Sequence, residues 1–379
     1  AAPDVLREPR VLVSYAYSAE GDLIEVRNAL GQITRQFAYT NHVLVEHRTA
    51  GGLISRYEYT QPNAHGKVLR NWINDGQQWR FDYGAGFTDV TYTTADDSVG
   101  RTKRWFHDDE KNYTGHIDEL GGRLERKLDL FGNLTEITDE AGRSTRYTLS
   151  TLGLPTEITG PDGAVTRIAY HPTLGKITQI TDPAGATTHY TYDARGNLTG
   201  VTDALGHTTG YQHDARGLPT VITDALGKSR RLAYNAAGQL VRYTDCSGQR
   251  TEYSYDAWGH LSQITDALGQ STRYTHDALG RLLAVQHPDG SCERFDYDTA
   301  GRLIAYTDPL GAVTRYELAA DGLPITRINA EGGTLSYAYD GARRLKTLLN
   351  ENRARYDFAY DALDRLVAET GFDARHTRY

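Results

Sequence analysis

The sequence predicts an all-β protein built from one antiparallel β-hairpin repeated many times, and three observations support this. Short runs rich in Thr, Tyr, Val and Leu alternate with turns, and most runs end in Asp-x-x-Gly. Glycines recur every 21 residues in two interleaved series. A fixed period of this size predicts one supersecondary unit stacked on its neighbours. The predicted turn glycines are Gly185, Gly206, Gly227, Gly248, Gly269, Gly290 and Gly311 in the first series, and Gly196, Gly217, Gly238, Gly259, Gly280 and Gly301 in the second.

The repeat from Thr187 to Gly206, TTHYTYDARGNLTGVTDALG, shows how one hairpin is specified. Aspartate favours the first position of a type I turn, because its side chain accepts hydrogen bonds from the turn's backbone. Glycine favours the last position, where the chain needs a positive φ. Such a turn closes a three-residue hairpin loop with a bulge. Each repeat is therefore predicted to hold two strands of about 6–7 residues.

Aromatic residues recur in phase on one strand of each repeat. Thr188, Tyr190 and Tyr192 share a face by alternation, so same-phase tyrosines are expected to form rows across the sheet. Leu198 and Val201 on the other strand are three residues apart, which a bulge beside the turn would explain. His213 and His276 replace tyrosine in phase. The predicted ladder aromatics are Tyr190, Tyr192, Tyr211, Tyr253, Tyr255, Tyr274, Tyr297 and Tyr316.

The repeat predicts one continuous β architecture with degenerate repeats over 1–120 and regular ones over 121–379. Within the degenerate part, strands are expected around Gln78–Tyr83 and Thr88–Thr93. Roughly 18 repeats would give about 36 strands, and an open sheet of that size does not stay flat and isolated. Beyond Gly322 the period continues without its glycines. Those turns either keep a left-handed non-glycine residue or change type, at Arg343, Arg353 and Asp364.

Composition excludes several classes of protein. The 379 residues carry a formal charge of −8, whereas a nucleic-acid binder would show a basic face. The sequence contains no run of about 18 apolar residues, so no membrane-spanning segment is predicted. We see no signal peptide at its start. Two cysteines do not make a disulfide scaffold, and no bridge between Cys246 and Cys292 is expected. Because the sequence contains no methionine, we expect it to be a piece of a longer protein.

The units TDALGxxTxYxxDAxGxLxxxTD, YDALDRL, YDTAGRL and YDAWGHL resemble the YD repeats of the Rhs family. That family includes bacterial polymorphic toxins, the C component of insecticidal toxin complexes and, more remotely, teneurins. The resemblance covers nearly the whole chain and is strongest over 121–379. It implies a spiralling antiparallel sheet of YD-repeat hairpins that forms part of a hollow β-cocoon. In the family this shell encloses a C-terminal toxin domain, which we expect to lie outside this chain.

The form of the motifs is similar to that of bacterial type VI secretion effectors. The resemblance therefore implies residence in the bacterial cytoplasm before export, delivery into a target cell, and possible contacts with secretion-spike and chaperone proteins. The family shell usually ends in an aspartyl self-cleavage segment with DPxGL motifs. Here Asp182-Pro183 and Asp308-Pro309 fall in phase as ordinary turns, and Leu does not follow their glycines. We expect neither to be that cleavage site.

No catalytic, cofactor-binding or metal-binding residues are predicted. No GxSxG, Walker A, C-x-x-C or HExxH motif occurs. A recurrent aspartate series could suggest calcium ligands, but each aspartate stands alone in its turn, which favours turn capping; its members are Asp139, Asp182, Asp203, Asp224, Asp245, Asp266 and Asp308. The tyrosine rows could bind sugars, although packing between hairpins is the simpler interpretation.

Two functions follow from these patterns. The first is a structural shell that encloses a C-terminal toxin domain for delivery, without enzymatic activity of its own. The alternative is an adhesin-like surface that binds carbohydrate or a protein partner through the tyrosine rows, since repeats present extended surfaces. Nothing in the sequence supports an enzyme.

Overall fold

A computed structural model describes residues 11–379. This part of the chain contains 35 strands and no helix. The strands up to residue 170 are β1 (Val13–Tyr17), β2 (Leu23–Asn28), β3 (Ile33–Thr40), β4 (Val43–Thr49), β5 (Ile54–Tyr59), β6 (Val68–Ile73), β7 (Gln78–Gly84), β8 (Phe87–Thr93), β9 (Arg101–His107), β10 (Tyr113–Ile117), β11 (Arg123–Leu128), β12 (Leu134–Thr138), β13 (Ser144–Leu149), β14 (Pro155–Thr159) and β15 (Val165–Tyr170).

The remaining strands repeat with little variation. They are β16 (Ile177–Thr181), β17 (Thr187–Tyr192), β18 (Leu198–Thr202), β19 (Thr208–His213), β20 (Pro219–Thr223), β21 (Ser229–Tyr234), β22 (Leu240–Thr244), β23 (Arg250–Tyr255), β24 (Leu261–Thr265), β25 (Ser271–His276), β26 (Leu282–Gln286), β27 (Cys292–Tyr297), β28 (Leu303–Thr307), β29 (Val313–Leu318), β30 (Pro324–Ile328), β31 (Thr334–Tyr339), β32 (Leu345–Leu349), β33 (Arg355–Tyr360), β34 (Leu366–Thr370) and β35 (His376–Arg378).

The all-β class and the antiparallel hairpin are both confirmed. β17 pairs antiparallel with β18, and β16 pairs antiparallel with β17, so the chain runs as a meander of hairpins. From β10 onward the strands before β35 have five or six residues, slightly shorter than the predicted six to seven. The difference arises because the four turn residues and the bulge take a larger share of the 21-residue period. The expected strands in the degenerate part are confirmed as β7 and β8.

The hairpin loop has the predicted hydrogen-bond pattern. The N–H of Gly196 donates to the carbonyl of Asp193 at 2.9 Å, which closes a type I turn, and the N–H of Asp193 donates to the carbonyl of Asn197 at 2.9 Å. The predicted bulge is present as well. Tyr192 pairs with Leu198 while Thr191 pairs with Gly200, so the register shifts by one residue beside the turn.

The degenerate glycine positions keep the turn geometry. Arg343, Arg353 and Asp364 have φ values of 63°, 59° and 62°, so these turns retain a left-handed residue without changing type. The turn from His171 to Gly175 is one residue longer than the four-residue turns of the other regular repeats, and in it the N–H of Gly175 donates to the carbonyl of His171 at 3.1 Å.

The described chain divides into two compact units. One comprises 112–115 and 123–273, and the other comprises 11–111, 116–122 and 274–379. Each unit is a run of hairpins whose strands pair with their neighbours in sequence. In both units alternate residues of the regular strands are half-buried and exposed, as in the pattern of β17 and of β27.

Burial is shallow throughout the described residues. Among them, Val285 is the only apolar side chain that counts as buried, at 8% exposure, and no side chain is below 2%. A sheet with a second layer packed on it would bury many apolar side chains. Each unit is therefore a wall one sheet thick. Cys246 and Cys292 are both free, and residues 11–379 hold no helix long and apolar enough to cross a membrane.

Candidate functional surfaces of the repeat

The turn aspartates cap their own turns. Oδ1 of Asp203 accepts the backbone N–H of Leu205 at 2.9 Å and that of His207 at 2.9 Å. Asp266 and Asp308 do the same for the backbone of their turns. A carboxylate oxygen that already accepts two backbone hydrogens is committed locally, which favours capping over the alternative of calcium ligation.

All of the predicted turn glycines lie at positive φ. The values run from 77° at Gly227 to 88° at Gly248, a region that L side chains rarely adopt. Glycine is therefore needed at the fourth position of each turn for conformation, and space is not the constraint at Gly248, where an added Cβ would meet nothing within 4 Å.

Acid is expected to destabilise the repeat through these turns. A hydrogen bond from the backbone of His207 holds the pKa of Asp203 below its usual 3.8, and a hydrogen bond from the hydroxyl of Ser247 lowers the pKa of Asp245. A lowered folded pKa contributes stability above about pH 4 that is lost as pH falls through the folded pKa. We expect the melting temperature to be flat from neutral pH to about pH 5 and to drop steeply by about pH 2.

The Asp245→Asn variant provides the control, because an amide oxygen keeps the cap but does not titrate. At acid pH, hydrogen-exchange protection of the backbone amides in the turn 245–248 should fall less in this variant than in the wild type. An unchanged melting temperature down to about pH 2 would contradict the role assigned to these carboxylates.

The tyrosines at the ends of the odd-numbered strands link neighbouring strands through their hydroxyl groups. The hydroxyl of Tyr192 donates to the carbonyl of Ile177 at 2.8 Å, and that of Tyr255 donates to the carbonyl of Leu240 at 2.8 Å. β16 and β17 form only three paired positions next to their turn, so the carbonyl of Ile177 lies beyond their ladder. The tyrosine satisfies a backbone acceptor that the ladder leaves unpaired. Equivalent bonds are made by Tyr59, Tyr83, Tyr170, Tyr234, Tyr297, Tyr339 and Tyr360.

The mid-strand tyrosines form a second set with a different role. Tyr190 pairs across the hairpin with Val201, Tyr211 with Ile222 and Tyr253 with Ile264. These are aromatic–β-branched pairs, which stabilise antiparallel strands. Within residues 11–379, the hydroxyls of five mid-strand tyrosines make no hydrogen bond; they are Tyr190, Tyr211, Tyr253, Tyr274 and Tyr316.

A matched pair of variants in β23 tests this division. Tyr255→Phe leaves the carbonyl of Leu240 without its donor and is expected to cost about 1 kcal/mol locally. Tyr253→Phe removes a hydroxyl that has no such partner and should cost close to nothing. Hydrogen exchange of β22 and β23 measures both, with about fivefold faster exchange expected for the first variant only. Equal effects would contradict the assignment.

Basic residues that directly follow the second-series turns brace neighbouring turns. Arg302 forms an ion pair with Asp298 of its own turn at 2.7 Å and donates to the carbonyl of Ala319 in the next turn at 2.8 Å. Arg281 pairs with Asp277 at 2.6 Å and lies over the ring of Tyr297, with 4.8 Å from Cζ to the centroid. Arg302 therefore joins two consecutive hairpins through an ion pair and a hydrogen bond, and Arg281 joins two through an ion pair and an aromatic contact.

Two family profiles match the chain. The profile described as Teneurin YD-shell matches residues 185–368, and the RHS Repeat profile matches residues 129–165. Their matched segments contain the turns and tyrosine rows described above. The chain belongs to the Rhs/YD-repeat family.

Two curated toxins resemble parts of this YD-repeat chain. Toxin protein Tse5 of Pseudomonas aeruginosa is 39% identical over 126 residues, which is 32% of this chain and 9% of that protein. Double-stranded DNA deaminase toxin A of Burkholderia cenocepacia is 34% identical over 101 residues, which is 27% of this chain and 7% of that protein. The matched regions thus span less than a tenth of these relatives.

The fold of the YD-repeat chain is similar to that of a solved structure, TcdB2-TccC3. The crystal structure of TcdB2-TccC3 aligns with a TM-score of 0.56 at 14% identity, covering 97% of this chain and 25% of that one. The same complex without its hypervariable C-terminal region aligns with a TM-score of 0.55 at 14% identity. At this identity the likeness concerns the fold alone.

Sequence reasoning found the turns and rows of the YD repeats but missed two features. The hydroxyl bonds of the strand-end tyrosines were not foreseen, although their constant spacing of 15 residues to the accepting carbonyl is a periodic signal. The arginine contacts between neighbouring turns were also not predicted. Arg281, Arg302 and Arg344 each follow a second-series turn at 21- or 42-residue intervals, so the repeat alignment contained them.

Proposed function

We propose that this chain forms part of the wall of a hollow β-cocoon that encloses a C-terminal toxin domain of its parent protein. The observation that carries the proposal is the fold likeness to TcdB2-TccC3 over 97% of the chain. Both the degenerate repeats of 1–120 and the regular repeats of 121–379 contribute hairpins to this wall. The turn glycines and the ladder tyrosines serve to build it.

The physics of a one-layer sheet supports an enclosing role. The tyrosine-bearing face is only half-buried, and no second layer from residues 11–379 covers it in either unit. An apolar face of this size is stable in water only if it curves around something or is covered. A wall with a toxin inside satisfies this requirement and keeps an active enzyme away from its substrates in the producing cell.

The shell itself supplies no chemistry in this proposal. The catalytic activity belongs to the enclosed domain, in line with relatives that are named toxins. We propose a type VI secretion route, with residence in the bacterial cytoplasm before export and contacts with spike and chaperone proteins on the way to a target cell. No nucleic acid, cofactor or metal takes part in the function of the wall.

Limited proteolysis of the natural full-length protein tests enclosure. We expect the C-terminal domain to stay intact at protease concentrations that degrade the same domain when it is expressed alone. A second sample, heated until the repeats unfold, should lose this protection. Rapid digestion of the tail while the repeats remain intact would overturn the proposal.

A repeat-surface adhesin remains the second candidate, favoured by the mid-strand tyrosine hydroxyls that have no recorded partner within the described chain. Half-buried aromatic rings with free hydroxyl groups suit carbohydrate or a protein partner. A glycan array probed with the isolated chain distinguishes the two functions. Specific binding that is lost in a Tyr190→Ala and Tyr211→Ala double variant would favour the adhesin, and an array without hits would exclude carbohydrate.

A further inference from the structure

Three turns of the C-terminal repeats replace the expected glycine with a charged residue. Arg343, Arg353 and Asp364 all have positive φ, which is strained for residues with a Cβ. Twenty-eight glycines from Gly21 to Gly332 have positive φ, so glycine is the usual solution in this chain. A contact made by the replacing side chain would offset this strain, and two of the three residues make one.

Arg343 and Asp364 each contact a turn region more than 260 residues away in the same unit. Nε of Arg343 donates to Oδ2 of Asp75 at 3.0 Å across a separation of 268 residues, and its Nη2 donates to the same oxygen. Oδ1 of Asp364 accepts Nη1 of Arg101 at 2.7 Å across 263 residues. Arg344 donates to the same oxygen of Asp364 at 2.8 Å.

Two glycines lie beside these long-range contacts at positions where the turn conformation does not require glycine. Gly51 and Gly341 lack a positive φ. A Cβ on Gly51 would lie 2.5 Å from the carbonyl oxygen of Ala320, and one on Gly341 would lie 2.6 Å from Cβ of Thr94. The N–H of Gly341 donates to Oδ1 of Asp96 at 3.1 Å. Glycine is needed at position 51 for the close approach of the Ala320 backbone, and at position 341 to leave room for the side chains of Thr94 and Asp96.

The glycine pattern is thus inverted along one line. Arg343 and Asp364 stand where the turn favours glycine, whereas Gly51 and Gly341 stand where only packing demands it. The line joins turns that follow even-numbered strands, at 49–52, 73–76 and 94–101, to turns that follow odd-numbered strands, at 319–322, 340–343 and 361–364. These two kinds of turn lie at opposite ends of the strands. The row of turns at one end of the strands therefore contacts the row of turns at the other end.

We propose that these six turns form a separable seam, in which Arg343 and Asp364 are positioning residues that fix the register between two distant runs of hairpins. The seam's partner is this same chain. Three contacts at successive turns, Gly51 with Ala320, Asp75 with Arg343 and Arg101 with Asp364, advance by one hairpin each and admit a single register. A cavity of about 520 Å³ lies beside it, lined by Arg101, Asp340 and Arg344 among others.

The seam can part without unfolding the hairpins. Its contacts are side-chain ion pairs and close backbone approach, whereas every hairpin is held by its own ladder and capped turns. The side chains of Asp75 and Arg343 are 25% and 33% exposed, and that of Asp364 is 57% exposed, so salt screens these pairs. The register role rests on these contacts alone. A further role as the closure line of a shell wall rests on the function proposed above.

Restoring the glycines tests the seam. Arg343→Gly and Asp364→Gly relieve turn strain, so a purely local role predicts unchanged or slower hydrogen exchange in those turns. The seam predicts the opposite, about three- to tenfold faster exchange of the amides at 94–101 and at Gly341. Arg353→Gly is the matched control, since it has the same φ class and turn position without a recorded contact across the seam. It should leave the exchange at 94–101 unchanged.

A charge exchange completes the test. Asp75→Arg and Arg343→Asp should each accelerate exchange along the seam, and the double variant should recover most of the protection. Failure of the double variant to recover, or glycine variants that match the Arg353→Gly control, would overturn the proposal. These measurements use the chain without cargo. Loss of tail protection in the full-length protein with an intact seam would instead count against the enclosing function.

Discussion

Gly115→Ala is expected to destabilise the chain locally by about 3 kcal/mol or more. Gly115 has a φ of 148°, and a Cβ there would overlap the carbonyl oxygen of Leu124 and lie 3.2 Å from Cα of Glu125. Both obstacles are backbone atoms of β11, so no rotamer change relieves them. Long repeat arrays do not unfold in two states, so hydrogen exchange in β10 and β11 is the measurement of choice.

Gly248→Ala separates the two causes of that effect. Gly248 has a φ of 88° with nothing within 4 Å of an added Cβ, so only backbone conformation is penalised, by about 1 kcal/mol. If the two variants lost equal stability, the close approach of β11 to Gly115 would contribute nothing.

Gly51→Ala is expected to separate the seam at its first contact. The added methyl group would meet the carbonyl oxygen of Ala320 at 2.5 Å, which no L residue tolerates, so one of the two turns must move. We expect at least tenfold faster exchange at the Ala320 turn, an effect of about 1.4 kcal/mol or more. The hairpins on both sides should keep their protection, because their ladders do not involve Gly51.

The control for this variant is Gly210→Ala. Gly210 also lacks a positive φ, lies in β19, and has its nearest contact, the carbonyl oxygen of Thr199, at 3.9 Å. It should be neutral within about 0.5 kcal/mol. Neutral behaviour of Gly51→Ala as well would mean that the turns at Gly51 and Ala320 are not in contact in solution.

The local fold could be predicted from sequence because the residues that determine the turn and the strand pairing all lie within one repeat. Asp203 and Gly206 stand at fixed positions of one turn, and Tyr190 faces Val201 within one hairpin. Every one of these contacts joins residues fewer than 12 apart. Propensity, alternation and turn chemistry act at that range, so the strands, the turns and the bulge followed from single repeats.

The contacts that the sequence did not reveal are those between hairpins. The replacement of glycine by Arg343 was visible as a broken period, but its partner Asp75 lies 268 residues away, and a single sequence contains no signal for that pairing. The strand-end tyrosines were expected to pack in rows, yet their hydrogen bonds depend on where the neighbouring ladder ends, as β16 shows. Turn strain was the only local trace of the seam.

The short range of the hairpin contacts has a consequence for biosynthesis. A hairpin of 21 residues leaves the ribosome in about 1–4 s and closes in microseconds, so repeats can form one after another as the chain emerges. The hydrogen bond between Asp75 and Arg343 cannot form until the 268 residues that follow Asp75, up to Arg343, have been made. Folding of this chain is therefore expected to have two stages: hairpins form one after another during synthesis, and the long-range contacts between turns form late. A translational pause near residue 343 would delay the second stage only.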